Sequence, residues 1–336
     1  MRKEFIYAII IGGILGLIVA FGVWRVNSAL SPNKNIGSPS GGRNNQNNNA
    51  AISIAEPSEN DVVESSRLKV VGIAKSGSLV VVSGETADYL PTLDNKGSFT
   101  VDVDLVGGIN QIVAVSIDNK GNTTKQVLTV IYSSEFAKIT PPETEGTKET
   151  LDSTDSVQQK VIEKVDQAVN SPKAYLGTVT DIAENTIQLK TPAGEIEQVS
   201  TQAKPTVIKD GKTVKEVKLA DIAIGDFIVA MGFKNGNHVL TARRILITTQ
   251  PQVSTKEYLL GKVVKNNKGQ VSFTNIKDGR TLTLSTADNA VAYLKKENQL
   301  AKIKFANLTE SDLFVAVGTS GNDKFKAQTL FVTERP

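Results

Sequence analysis

A duplication sets the strongest limit on what this chain can fold into. KLADIAIGDFIVAMG, beginning at Lys218, returns as KFANLTESDLFVAVG, beginning at Lys304, and Lys, Ala, Asp, Val, Ala and Gly coincide without a gap. Leu176-Gly177-Thr178-Val179 likewise returns as Leu260-Gly261-Lys262-Val263, while Ala242, Ile245, Ile247 and Thr248 are answered by Ala327, Leu330, Val332 and Thr333. A shift of about 84 to 86 residues therefore relates two whole segments, 173–250 and 251–336. Each is too long for one solenoid repeat and long enough to fold as a unit. Whatever fold one segment adopts, the other is expected to share.

Each copy reads as about five or six short strands, with hairpin signals at Asp210-Gly211, Asn235-Gly236, Asp278-Gly279 and Ser320-Gly321. The pattern predicts two small tandem antiparallel β-barrels, like OB-folds in size and strand count. A G-x-V strand, an I-x-L strand and a late Gly225-Asp226 turn leading into a glycine-terminated strand follow one another. This order resembles an uncharacterised family of bacterial envelope β-barrel domains, and that family implies no activity. The second copy departs from it by carrying Ser311 where the first has Gly225, which leaves the turn there open. Asp226 and Asp312 occupy matched positions before a strand. They are expected to be structural turn residues whose side chains accept backbone N–H bonds; a pair of glycosidase carboxylates is the competing reading.

From Ala51 to about Ser133 the runs ISIAEP, LKVVGIA, SLVVVSG, SFTVDVDL, NQIVAVSID and KQVLTVIY each suit a strand with one buried face. Between them stand turn clusters at Asp94-Asn95-Lys96-Gly97, Val106-Gly107-Gly108 and Asp118-Asn119-Lys120-Gly121-Asn122. Short strands at this density describe a β-sandwich. Gly97-Ser98-Phe99, then Val101 and Val103, Gly108-Ile109-Asn110 and Asp118 to Asn122 carry a further signal. In that order they resemble the bacterial immunoglobulin-like sandwich of the glucodextranase B-domain type. The resemblance implies a spacer or adhesive module, which such domains are with or without an attached enzyme. Asp118, Gly121 and Asn122 are expected to shape a turn; calcium ligation by Asp118, Asn119 and Asn122 is the weaker alternative, since no carboxylate-rich loop accompanies them.

Ahead of the sandwich, Phe5 to Trp24 runs about twenty residues without a charge, enough at ~1.5 Å per residue to cross a ~30 Å hydrocarbon core. Residues 5–24 are therefore expected to be a transmembrane anchor in contact with membrane lipid. Residues 1–4 form a tail on the inner side, and the domains lie outside. Arg2 and Lys3 precede the run, Arg25 follows it, and Tyr7 and Trp24 sit near its ends. A cleaved signal peptide is the alternative, with Val26-Asn27-Ser28 a poor cleavage site. Gly12, Gly16 and Ala20 recur every four residues and would permit a homodimer by close helix approach, although glycine is common in membrane helices anyway. Residues 25–50, rich in Ser, Pro, Gly and Asn, read as a flexible linker. Residues 134–172 read as a second linker holding a short helix, because Val157, Val161, Ile162, Val165 and Val169 fall at helical spacing.

Composition narrows the function classes. There is no cysteine, one histidine (His238) and one tryptophan (Trp24, in the apolar run), so thiolate chemistry, histidine metal sites and a Ser-His-Asp arrangement have little material. No metal, cofactor or catalytic residue is expected. A net charge of +3 from 38 Lys and Arg against 35 Asp and Glu does not point to nucleic acid. Lys295, Lys296, Lys302 and Lys304 make a basic strip without stacking partners. Tyr89, Tyr175, Tyr258 and Tyr293 are the candidates for a sugar platform, each as readily a cap on a core. The fold class is thus mainly β: an N-terminal transmembrane helix, an immunoglobulin-like β-sandwich and two barrels. The expected work is structural or adhesive, with other envelope proteins or surface glycans as partners. The alternatives are an accessory subunit of a cell-envelope assembly or secretion complex and, behind it, a polysaccharide-binding protein.

Overall fold

The computed structural model describes residues 52–138, 171–211, 214–235, 237–267, 270–297 and 299–336. The apolar run 5–24, the tether 25–50 and the helical periodicity within 153–170 lie outside those residues. Among the described residues no helix is long and apolar enough to cross a membrane.

The first eight strands are β1 (Ile52–Glu56), β2 (Asp61–Val63), β3 (Arg67–Ala74), β4 (Leu79–Ser83), β5 (Asp88–Tyr89), β6 (Ser98–Asp104), β7 (Gly108–Ile117) and β8 (Thr123–Tyr132). They form two layers, one ordered β1-β3-β6 and the other β5-β4-β7-β8-β2. Val70, Phe99 and Val103 of the first layer meet Val80, Val82, Ile112, Ala114, Leu128 and Val130 of the second, which places the core between the sheets. Each of the larger ones, Val, Ile, Leu or Phe, contributes about 1.5–3 kcal/mol when fully buried. The second layer departs from simple alternation. Val81, Val113, Val115 and Ile117, whose side chains point away from that core, are buried as well. Something must cover the outer face of this sheet.

Two barrels do so. The first contains β9 (Lys173–Ala183), β10 (Thr186–Lys190), β11 (Ile196–Ser200), β12 (Thr206–Lys209), β13 (Lys215–Val217), β14 (Phe227–Lys234) and β15 (Leu240–Thr248). The second contains β16 (Glu257–Asn267), β17 (Gln270–Asn275), β18 (Thr281–Lys296), β19 (Gln299–Ile303), β20 (Leu313–Gly321) and β21 (Lys324–Glu334). Pairing closes the ring β9-β10-β11-β15-β14-β9 in one and β16-β17-β18-β21-β20-β16 in the other. This is an OB-type Greek-key order, and the long β18 spans the positions that β11 and β12 hold separately. Registers repeat: Leu176 faces Val229 as Leu260 faces Val315, and Val199 faces Leu240 as Leu284 faces Phe325. The barrels are not antiparallel throughout, as the sequence suggested: β11 and β12 run parallel to β15, and β18 runs parallel to β21. A ring with an odd number of strands cannot alternate direction all the way round, so one neighbouring pair must be parallel.

Matched residues fill both interiors. Val179, Ile187, Leu189, Ile228, Ala230 and Ile245 line the first, while Val263, Val271, Phe273, Phe314, Ala316 and Leu330 line the second. The larger second core brings Phe273 edge-on to Phe314, with ring centroids 5.2 Å apart. The substitution of Ser311 for Gly225 leaves the turn intact. Gly225 has φ +97° and Ser311 φ +68°. Each donates its N–H to the first strand of its own barrel at 2.9 Å, Gly225 to Val179 O and Ser311 to Val263 O. Serine therefore takes the left-handed conformation that glycine adopts freely.

Candidate functional site

The outer face of the sheet β4-β7-β8-β2 is the feature around which the described residues are organised. On one half, Val62 and Ile131 pack against Leu176, Phe227, Val229, Met231 and Leu246 of the first barrel. On the other, Val81, Val113, Val115 and Ile117 pack against Leu260, Leu313, Val315, Val317 and Phe331 of the second. The barrel residues in these two sets are the duplicated positions, one for one. Both copies present the same outward face, chiefly from the first, fourth and fifth strands of the ring, and the sandwich receives both.

Polar contacts at the two seats differ. At the first, Asp61 pairs with Lys173, and β2 joins β9 through those same residues. At the second, the side chain of Asp88 is wholly buried. It accepts from Lys256 Nζ at 3.0 Å and from Thr329 Oγ1 at 2.6 Å. Lys256 also donates to Gly84 O at 3.3 Å, and the Tyr258 hydroxyl donates to Ser83 Oγ at 2.9 Å. Burial pushes the Tyr258 phenol up to about 12, with the nearby Asp88 charge adding to it.

Asp118 Oδ1 accepts the N–H groups of Lys120 at 2.9 Å and Asn122 at 2.8 Å, and Asn122 Nδ2 donates to Asp118 Oδ2 at 2.9 Å. Burial alone would raise this carboxyl, but those donors outweigh it and hold it below the usual range. Gly121, at φ +76°, touches the second barrel: a Cβ there would lie 2.9 Å from Lys277 N. The turn is thus also a domain contact, which turn chemistry alone did not disclose.

Asp226 and Asp312 are not brought together; each serves its own barrel. Asp226 Oδ2 accepts Ala223 N at 2.9 Å, and Asp312 Oδ2 accepts Thr309 N at 2.9 Å. Asp312 has more partners, taking Thr309 Oγ1 at 2.7 Å and a two-pronged Arg335 at 2.9 and 2.8 Å. His238 lies in a hairpin at φ +61°, and its counterpart Asp323 has φ +49°. The His238 carbonyl accepts the Tyr175 hydroxyl at 2.5 Å. Tyr175, raised to about 12 by burial and the charge of Glu197, carries Lys234 Nζ 4.6 Å above its ring. Glu197 is itself raised by burial. Tyr89 bonds Asp104, and Tyr293 stacks on Phe331. The four candidate tyrosines therefore have hydroxyls or ring faces engaged within the chain.

Two clefts flank the first seat. One, of about 390 Å³, includes Glu59, Gln111, Thr129, Glu195 and Glu197. The other, of about 240 Å³, includes Gly107, Gly108, Ile131, Ile208, Met231 and Leu246. Among the described residues no group of three or more His, Asp or Glu side chains is placed to hold a metal ion.

No protein-family model matches the sequence, and no curated protein does. Among solved structures, a tetra-tandem repeat from the extending region of a large adhesion protein is similar over 83% of this chain and 71% of that one, at 14% identity and a TM-score of 0.21. A structure from a 1.5-MDa bacterial ice-binding adhesin is similar over 84% of this chain and 96% of that one, at 11% identity and a TM-score of 0.19.

Proposed function

We propose that this chain is a membrane-anchored, extracytoplasmic structural or adhesive protein without enzymatic activity. In this reading an immunoglobulin-like sandwich of the glucodextranase B type and two barrels act as one display unit, tethered by residues 25–50 to the anchor at 5–24. The observation that carries it is the double docking on one sheet. Burial of matched apolar faces between successive domains removes the hinge freedom that a string of modules would otherwise have. A body of that kind holds its outer surfaces at fixed mutual positions, which suits a spacer or an adhesive platform better than a lid-gated active site.

Protease added to intact cells or spheroplasts tests this. Cleavage within residues 31–50 or 138–152 is expected, with release of the domains from the membrane fraction by the first of these cuts. Protection of both linkers until the membrane is permeabilised would refute the extracytoplasmic reading.

A further inference from the structure

The duplication lets each seat on the sandwich be compared with the other. At the second seat, the Tyr293 ring lies on Phe331 with centroids 5.6 Å apart and planes 17° from parallel. The two are register partners on β18 and β21, as Ile208 and Leu246 are on β12 and β15. At the first seat the aromatic pair is thus replaced by two smaller aliphatic side chains. The sandwich does not compensate. Opposite them it offers Gly107 and Gly108: a Cβ on Gly107 would meet nothing within 4 Å, and one on Gly108 would meet only Leu246 Cδ2, at 3.6 Å. The result is the cleft of about 240 Å³, floored by Ile131, Ile208, Met231 and Leu246 and rimmed by Arg244 and Asp210.

We propose that this cleft binds a tyrosine side chain presented by a partner polypeptide. The ring that closes the equivalent space in the second copy is a tyrosine supplied by the chain itself. An apolar floor with a charged rim suits a ring that is apolar along its body and polar at its tip. The volume is below the ~300–1,000 Å³ of pockets for free ligands, and is that of a hole for one anchor residue, the usual centre of a protein interface. A second copy of this chain does not supply the anchor from its described residues, since no aromatic ring is among their exposed large side chains. The assignment rests on the reading of the chain as an interaction module, and gives that module a specific contact.

The sequence provides a reporter, because its two methionines are Met1 and Met231, and Met231 lines the cleft. The full-length chain labelled with methyl-¹³C methionine is titrated with N-acetyl-Gly-Tyr-Gly-amide. The Met231 methyl resonance should move saturably while that of Met1 stays. Free p-cresol should need about tenfold higher concentration, because it lacks the peptide contacts at the rim. Ile208→Tyr, which installs the second copy's residue, should abolish the peptide response and leave the unfolding temperature unchanged or higher. Leu246→Phe serves the same purpose if Ile208→Tyr does not fold. An unmoved Met231 at millimolar peptide, or an undiminished response in the filled variant, overturns the proposal. So does p-cresol binding as tightly as the peptide, which would make the cleft a site for free aryl molecules. None of these outcomes bears on protease access in cells, so this assignment and the display reading fail separately.

Discussion

Replacing Gly121 by alanine probes the contact between the sandwich and the second barrel at its tightest point. Two penalties are expected. Gly121 has φ +76°, where a Cβ costs about 1–2 kcal/mol. The new atom would also lie 2.9 Å from Lys277 N, 3.1 Å from Lys277 Cβ and 3.2 Å from Lys277 Cα. Two of those atoms are backbone and cannot swing aside, so overpacking adds about 1–3 kcal/mol. The total is about 2–5 kcal/mol. Gly279→Ala is the matched control. It lies in the hairpin that contains Lys277, its φ is +70°, and a Cβ there meets nothing within 4 Å, so only the conformational penalty applies. Urea unfolding of the full-length chain, followed by far-UV circular dichroism, should therefore show Gly121→Ala less stable than Gly279→Ala by about 1–3 kcal/mol. Equal destabilisation by the two would refute the argument that the hairpin presses on the Asp118–Asn122 turn.

The duplicated aspartates should respond unequally. Asp226→Ala should cost about 0.5–2 kcal/mol, the loss of one turn bond, whereas Asp312→Ala should cost about 2–4 kcal/mol by stranding Arg335 and Thr309; denaturant melts of the two variants decide it. Burial by itself would raise the Asp312 carboxyl, but Arg335 and Thr309 hold it low, so its contribution is present above the ordinary aspartate value of about 3.9 and is lost as pH falls through the acid range below that. Wild type and Asp312→Ala should accordingly converge in stability on acidification. Tyr175 and Tyr258, both raised to about 12 by burial, favour folding below the ordinary tyrosine value of about 10 and cease to do so as pH rises through about 12. Following phenolate absorbance against pH should show Tyr175 and Tyr258 among the late-titrating tyrosines, ionising together with alkaline unfolding, and Tyr258→Phe should remove one late phenol from the titration.

Much of the strand content was legible because alternation and turn residues are local signals, and the duplication made one barrel a check on the other. Ser311 shows the strength of that check: its turn matches that of Gly225 although the residue that usually marks it is gone. The docking of the domains was also written in the sequence, in a form easily taken for ordinary strand. Val80-Val81-Val82 and Ile112-Val113-Ala114-Val115 are apolar at both parities, which a strand with one wet face does not need. Likewise Leu176 and Leu260, or Val229 and Val315, point outward from their barrels yet stay apolar in both copies. The polar contacts had no such signal. Asp88 and Thr329 are 241 positions apart, and nothing local distinguishes either from a residue on a solvated strand. The third part, the cleft at the first seat, shows only when the two seats are compared, since it consists of what Ile208, Leu246 and Gly107 fail to fill.

That difference between kept and changed positions also explains how two similar barrels find their own seats. Apolar packing is non-directional, so the conserved outward face of either barrel would satisfy either half of the sheet roughly as well. Discrimination has to come from groups whose partners matter, and those are the positions where the copies diverge. Lys173, paired with Asp61 at the first seat, is matched in the second barrel by Glu257, which would set carboxylate against carboxylate there. Thr329, whose hydroxyl donates to buried Asp88, is matched in the first barrel by Arg244, and Lys256 is matched by Pro172. A first barrel placed at the second seat would bring the long Arg244 side chain where the compact Thr329 hydroxyl now fits and a proline in place of Lys256, so Asp88 would lose both of its present donors. The shared apolar faces thus supply the attraction, and the unshared polar residues make the exchanged arrangement unfavourable at both seats, which fixes the order of the barrels along the sheet.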